Sequence, residues 1–132
     1  MPDLRAHELS KHFSGVRVVK DVSFTLAPGE IVGYLGPNGS GKTTTGRMLA
    51  GLLEPSSGFV EYGGRDIRDD LVGFRRVLGY IPEEPYLYPF LSGREYLQLI
   101  AQLREIPEGL LEMKIDGFLG LFGLTGAADQ SI

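Results

Sequence analysis

Gly36-Pro37-Asn38-Gly39-Ser40-Gly41-Lys42-Thr43 constrains this chain more than any other stretch, because its residue types and their order suit one kind of ligand. A polyphosphate carries several negative charges, and only backbone free of obstructing side chains curls around it closely enough to aim successive N–H groups inward. Gly36, Gly39 and Gly41 supply that freedom. Lys42 places an ammonium against the β and γ phosphates, and the Thr43 hydroxyl is placed to join a Mg2+ that keeps most of its water. A helix opening near Gly41 and running towards Ala50 adds unpaired N–H groups and the positive end of its dipole. Nineteen glycines make a fortuitous match easier. Against that, Ile31-Val32-Gly33-Tyr34-Leu35 is an unbroken apolar run directly before the loop, which predicts a parallel strand buried on both faces. Together these features imply binding of a nucleoside triphosphate.

Composition narrows the remaining classes. A length of 132 residues suits one domain at most, and 42% hydrophobic residues suffice for a core. The formal charge of −4 gives no general attraction to nucleic acid or anionic lipid. Arg75-Arg76 is too short to act as a basic patch, so no nucleic-acid partner is expected. The sequence has no cysteine, which excludes disulfides and thiolate metal sites and suits a reducing compartment. Met1-Pro2-Asp3-Leu4-Arg5 lacks the apolar core of a signal peptide, and no apolar run approaches the length of a membrane span. A cytoplasmic location follows as an expectation, with any membrane association going through a partner.

Along the chain the pattern changes three times. Short strands are expected from Leu4 to Leu26, where Val22, Phe24 and Leu26 alternate with Ser23 and Thr25 before the turn Ala27-Pro28-Gly29-Glu30. The helix after the phosphate loop carries Met48, Leu49, Leu52 and Leu53 at helical spacing and stops at Glu54-Pro55. Gly58 to Tyr62 reads as a strand ahead of Gly63-Gly64, and Val77-Leu78-Gly79-Tyr80-Ile81 as a further buried strand. Ser92 and Glu95 have the spacing of a capping box. Tyr96, Ile100 and Leu103 then line one helix face. Pro107 ends that helix and can open another, in which Leu111, Ile115, Phe118, Leu119 and Phe122 fall at helical intervals. Gly109, Gly117 and Gly120 weaken this second helix, each by about 1 kcal/mol relative to alanine. The expected division is 1–84 and 85–132.

The run from Ile31 to Gly58 joins the phosphate loop and its triple threonine to Met48-Leu49-Ala50-Gly51-Leu52-Leu53-Glu54-Pro55-Ser56-Ser57-Gly58, and in this it resembles the ATP-binding subunits of ABC transporters. The resemblance extends from about Leu4 to Ile132. The triple threonine and the region around Tyr80 are similar to the subgroup that drives small two-component exporters. The implied fold is α/β, a phosphate-loop NTPase core of ABC type with an N-terminal antiparallel β subdomain and the start of a helical subdomain.

The resemblance implies ATP and Mg2+ as ligands, gripped by Gly36, Pro37, Asn38, Gly39, Ser40, Gly41, Lys42, Thr43 and Thr44. Phe13 stands where the family stacks an aromatic on adenine, although an aromatic beside Gly15 equally suits a core. Val18 stands where a small apolar residue flanks the base. No Asn-Lys-x-Asp guanine-reading motif occurs. Tyr80-Ile81-Pro82-Glu83-Glu84-Pro85 matches the family's Q-loop with Glu83 in place of glutamine. Glu83 is thus either a magnesium-proximal carboxylate, joining Thr43, or a polar residue leaving a strand. Tyr86, Leu87, Tyr88 and Phe90 follow where the family docks its membrane-spanning subunit, and they equally suit packing beneath the helical region.

Other likenesses carry less. Leu91-Ser92-Gly93 resembles the start of the family's Leu-Ser-Gly-Gly-Gln signature, but Arg94 and Glu95 break the match and the capping box accounts for the serine. Asp69-Asp70 reads as solvated surface or a helix cap, and His7 and His12 as surface histidines. The family's signature, its apolar strand ending in Asp-Glu, its dimer-contact loop and its switch histidine would follow Thr125, and the sequence reaches Ile132 without them. The resemblance therefore implies a truncated, N-terminal part of a subunit that binds ATP but does not hydrolyse it alone. Full length would form a head-to-tail dimer with a second ATP-binding subunit, on the inner face of the membrane. It also implies an exposed sheet edge at Ile31–Leu35, because the family pairs that strand with the one bearing Asp-Glu. The other function classes are a soluble ABC-type ATPase of translation or DNA repair, and a non-catalytic regulatory fragment.

Overall fold

Two long strands, β1 (Leu4–Phe13) and β2 (Val16–Leu26), form an antiparallel hairpin turned at Ser14-Gly15. The computed structural model describes residues 2–84 and 86–132, in two compact units, Met1–Ile81 and Pro82–Ile132. In the first unit β3 (Ser57–Tyr62) and β4 (Arg65–Asp66) complete an antiparallel sheet of order β2-β1-β3-β4. Val22, Phe24 and Leu26 are half-buried while Ser23 and Thr25 are exposed, the expected one-faced alternation. Helix α1 (Lys42–Leu49) lays Met48 against Ala6, Leu9, Val19 and Val60 of the sheet, with Ile67 and Phe74 closing the core. The next helix, α2 (Leu71–Val77), is capped by Asp70, whose carboxylate accepts from the Gly73 amide at 2.8 Å.

The long strands are not regular. Glu8 and Asp21 have φ of 47°, and the pairing slips near both. From Ala6↔Phe24 to Leu9↔Val22, three steps of β1 match two of β2, and from Leu9↔Val22 to Lys11↔Val19 two match three. Such bulges bend a strand and strengthen its twist. Gly58 is fixed by the first of them: its φ is +80°, and a Cβ there would lie 2.2 Å from the His7 carbonyl oxygen. No residue with a side chain fits that approach. His7 itself is half-buried rather than a surface residue, its ring stacked on Phe59 at 4.4 Å and its Nε2 3.2 Å from a Glu61 carboxylate oxygen. His12 is exposed.

Three sequence expectations are corrected in this unit. Ile31–Leu35 is not a buried parallel strand: among the described residues nothing pairs with it, and Ile31 and Leu35 are 99% and 93% exposed. A parallel strand needs neighbours beside it and helices over its faces, and this antiparallel sheet offers neither. Val32 and Tyr34 nonetheless line an apolar cleft with Phe24 and Leu26, so the segment keeps a two-residue alternation without a ladder. The strand expected over 77–81 is also absent, since α2 continues through Val77 and Ile81 is 92% exposed. Leu52 and Leu53 lie beyond α1, which closes when the Gly51 amide bonds to the Met48 carbonyl and the Leu52 amide to that of Arg47.

In the second unit α3 (Gly93–Leu103) and α4 (Glu108–Leu121) pack through Leu97, Leu111, Ile115 and Leu119, with Ala128 completing the cluster. Ala101 is the buried residue of α3, and Leu103 is mostly exposed. The face expected at Tyr96, Ile100 and Leu103 is therefore one stripe away from the buried one. In α4 Ile115 and Leu119 are buried as expected, but Phe118 and Phe122 face solvent. Arg94 holds the unit together electrostatically, donating to Glu112 at 2.9 Å, Asp116 at 2.8 Å and Asp129 at 3.3 Å. Its hydrogen bond to Asp116 chiefly, then the charges of all three carboxylates, raise its pKa further.

The capping box is formed: Ser92 Oγ accepts from the Glu95 amide, and a Glu95 carboxylate oxygen accepts from the Ser92 amide at 2.8 Å. That amide first, and then the Ser92 side chain, hold the Glu95 carboxyl below the usual glutamate range. With the folded pKa below the unfolded one, the cap contributes fully above the ordinary glutamate pKa and loses its contribution as pH falls through the folded value. Hydrogen exchange at the Ser92 amide, which donates to this carboxylate, should, after correction for intrinsic chemistry, keep its protection above the ordinary glutamate pKa and lose it as pH falls below that value. Glu95→Gln should abolish that dependence, and unchanged protection in the parent chain would contradict the assignment.

Candidate functional site

The loop from Gly36 to Gly41 turns on itself, with the Ser40 amide donating to the Pro37 carbonyl at 3.2 Å. A Cβ on Gly36 would stand 2.7 Å from Ser40 Oγ, so a side chain there would require the Ser40 hydroxyl to rotate away. Asn38, Gly39 and Ser40 form its exposed rim. Gly41 then takes the N-cap position of α1 with φ of 86°. No side chain caps this helix end, and its first turn holds no acid. Its first N–H groups and the positive dipole end are thus left for an external anion.

Lys42 and the three threonines divide the work. Lys42 Nζ donates to the carbonyls of Gly36 and Pro37, both at 2.8 Å, so its side chain folds back across the loop. Thr45 is buried and donates from Oγ1 to the Gly41 carbonyl at 2.9 Å, the same carbonyl that takes the Thr45 amide at 2.8 Å. Thr43 is exposed and Thr44 half-buried. The triple threonine is therefore one structural residue at its end and one accessible hydroxyl at its start.

Val18 and Val19 of the hairpin meet this loop. A Cβ on Gly41 would lie 2.7 Å from the Val18 carbonyl oxygen and 3.0 Å from Val19 Cγ2, so loop and β2 are in backbone contact. Phe13 lies at the hairpin tip, 45% exposed, which excludes it from the core. Lys11 Nζ is 5.5 Å from the centre of the Phe13 ring and also donates to the Glu54 carbonyl at 2.5 Å. Sequence reasoning missed Lys11, although residues two apart on a strand share a face and the spacing from Phe13 was visible.

The remaining expected site residues lie in the second unit. Glu83 is exposed in a bend. Tyr86, Leu87, Tyr88 and Phe90 are all exposed, Tyr86 at 86%. Tyr88 alone leans on neighbours, its ring centre 5.6 Å from that of Phe90 and 6.2 Å from that of Tyr96. Pro85, which opens this segment, lies outside the described residues.

The donor set fits a magnesium-bound triphosphate. It combines an uncapped helix start, a curl that side chains would fill, a cation within the loop and an accessible hydroxyl at the first helical turn. Mg2+ in such sites takes only one or two protein ligands beside phosphate oxygens and water.

Comparison with known proteins gives the same direction. A family model described as ABC transporter matches residues 19–132. The ABC transporter ATP-binding protein YhcH of Bacillus subtilis is 41% identical over 122 residues, 92% of this chain and 39% of its own length. The linearmycin resistance ATP-binding protein LnrL of the same organism is 34% identical over 129 residues, 98% of this chain and 42% of its own. A solved ATP-binding subunit of an ABC transporter superposes with a TM-score of 0.82 at 34% identity, covering 97% of this chain and 53% of that one. The chain belongs to the ABC transporter family, among its ATP-binding proteins. It spans about half or less of the length of these relatives. Among the described residues no helix is long and apolar enough to cross a membrane.

The threonine assignment is testable by folding alone. Thr45→Val should cost about 1–2 kcal/mol in urea unfolding, because it removes a buried hydrogen bond. Thr43→Val should stay within about 0.5 kcal/mol of the parent, as for other exposed positions. Equal losses at both positions would contradict it.

Proposed function

We propose that this chain supplies the ATP grip of an ABC transporter ATPase. The observation that carries this reading is the uncapped start of α1 behind a loop whose lysine is held by two of the loop's own carbonyls. Phosphate oxygens carry charge and bind an ammonium more strongly than carbonyl oxygens do. Lys42 therefore turns from the Gly36 and Pro37 carbonyls to the β and γ phosphates when ATP enters, and the amides of the curl close on the phosphates. Thr43 offers its hydroxyl to Mg2+, which when bound neutralises the β and γ oxygens. Glu83 is the second residue assigned to the metal's surroundings. Phe13, exposed at the hairpin tip, stacks on adenine with Val18 beside it, and Pro37 to Ser40 and Thr44 complete the phosphate contacts.

Phosphoryl transfer to water depends on positioning and charge stabilisation. The residues described here grip phosphates, and we assign the water-orienting groups to other segments and to a second ATP-binding subunit. The exposure of Tyr86 and Phe90 supports docking of a membrane-spanning subunit at 86–90, on the inner face of the membrane. The triple threonine and the region around Tyr80 support membership of the exporter-like subgroup. We take 1–84 as the β subdomain with the phosphate-loop core and 85–132 as the start of the helical subdomain.

Mg-ATP at a hundredfold above its Kd should stabilise the chain by about 2.7 kcal/mol, visible as a raised Tm that Lys42→Ala abolishes. Phosphate release by the chain alone should not exceed that of Lys42→Ala. Absence of any thermal shift would refute ATP binding, and release above the Lys42→Ala control would refute the division of labour.

A further inference from the structure

One polar cluster, built around a buried serine in the first unit, is not used by the phosphate grip. Ser10 is fully buried in β1, yet its hydroxyl has every hydrogen-bonding capacity met by two residues of β2. It donates to Asp21 Oδ1 at 2.9 Å and accepts from the Asp21 amide at 2.9 Å and from Arg17 Nη2 at 3.2 Å. Arg17 Nη2 also donates to Asp21 Oδ1 at 2.7 Å. On a regular strand, residues four apart are separated by about 13 Å, too far for these two side chains to meet. They meet because β2 is bulged twice between them. One bulge accompanies Asp21, held at φ of 47°. The other is Val18, left over where Lys11 pairs with Val19 and His12 with Arg17.

The Arg17–Asp21 bracket therefore encloses Val18, the residue whose carbonyl abuts Gly41 of the phosphate loop. On the opposite strand Ser10 stands three residues before Phe13, and its own carbonyl is tied to the Ser56 amide at 2.8 Å. The cluster thus ties the two strands together on either side of the residue that touches the phosphate loop. We propose that Ser10, Arg17 and Asp21 are positioning residues for nucleotide recognition, holding the bulged hairpin so that Phe13 meets the base of a nucleotide whose phosphates lie in the loop. This inference rests on the reading of the loop as an ATP site.

The pair of ligands ATP and inorganic tripolyphosphate separates the base contact from the phosphate contact. Arg17 and Asp21 are both partly exposed, and exposed ion pairs add little to global stability. Arg17→Ala is therefore the variant that loosens the bracket while keeping the fold, with Ser10→Ala as the stronger but riskier companion. Calorimetric titration of the whole chain in Mg2+ should show ATP affinity falling about fivefold to tenfold in Arg17→Ala, part of the worth of one base–aromatic stack. Tripolyphosphate affinity should change by less than about twofold, outside the range of a lost stack. In a Phe13→Ala background, Arg17→Ala should have no further effect on ATP, because the two act through one contact. Unchanged ATP affinity, equal weakening of both ligands, or full additivity with Phe13→Ala would each overturn the positioning role. Failure of the unaltered chain to bind either ligand would instead overturn the ATP-site reading beneath it.

Discussion

At Gly41 the phosphate loop touches β2 so closely that any side chain would collide with the Val18 carbonyl, and three parts of the first unit meet in that contact. The loop ends there, α1 begins there, and the hairpin is bulged there. Helix α1 in turn is pinned on the sheet by Met48 and Thr45, both buried. A short helix is marginal by itself and takes its stability from such packing. Its free N-terminus is thereby held at a fixed place beside Val18 and Val19 of β2. On the proposed reading, phosphate recognition and base recognition draw on one folded unit, although Lys42 and Phe13 are far apart in sequence.

The loop is also internally balanced. Lys42 needs acceptors, and the Gly36 and Pro37 carbonyls provide them at hydrogen-bonding distance. Buried or half-buried polar groups carry a cost when unpaired, so this folding back keeps the cation satisfied and the loop curled. Thr45 performs the matching service at the helix start by saturating the Gly41 carbonyl. Exchange of carbonyl for phosphate oxygens needs a side-chain movement rather than a refolding of the backbone.

Much of this was legible in the sequence because it is local. The phosphate loop, the start of α1 and the Ser92–Glu95 box depend on residues a few positions apart, and the alternation from Val22 to Leu26 reports directly on a one-faced sheet. Ile31–Leu35 and Val77–Ile81 read as strands from their apolar runs, yet a strand exists only with a partner beside it, and that partner is not written in the run itself. The stripe on α3 was misplaced by one position because Tyr96, Ile100 and Leu103 are as apolar as Leu97 and Ala101. Periodicity finds a face, whereas the structure buries Ala101 and packs Leu97 against α4. Ser10, Arg17 and Asp21 gave no signal at all, since bulges arise from hydrogen bonds between strands.

We propose that the phosphate loop and the hairpin tip form one nucleotide site. Amide chemical shifts during titration of the chain with Mg-ATP and, separately, with magnesium tripolyphosphate test it most directly. Tripolyphosphate should move the amides of residues 36–45 with little change at 13–18, and ATP should move both sets together with one affinity. ATP shifts confined to the loop, or shifts at neither segment, would contradict the claim.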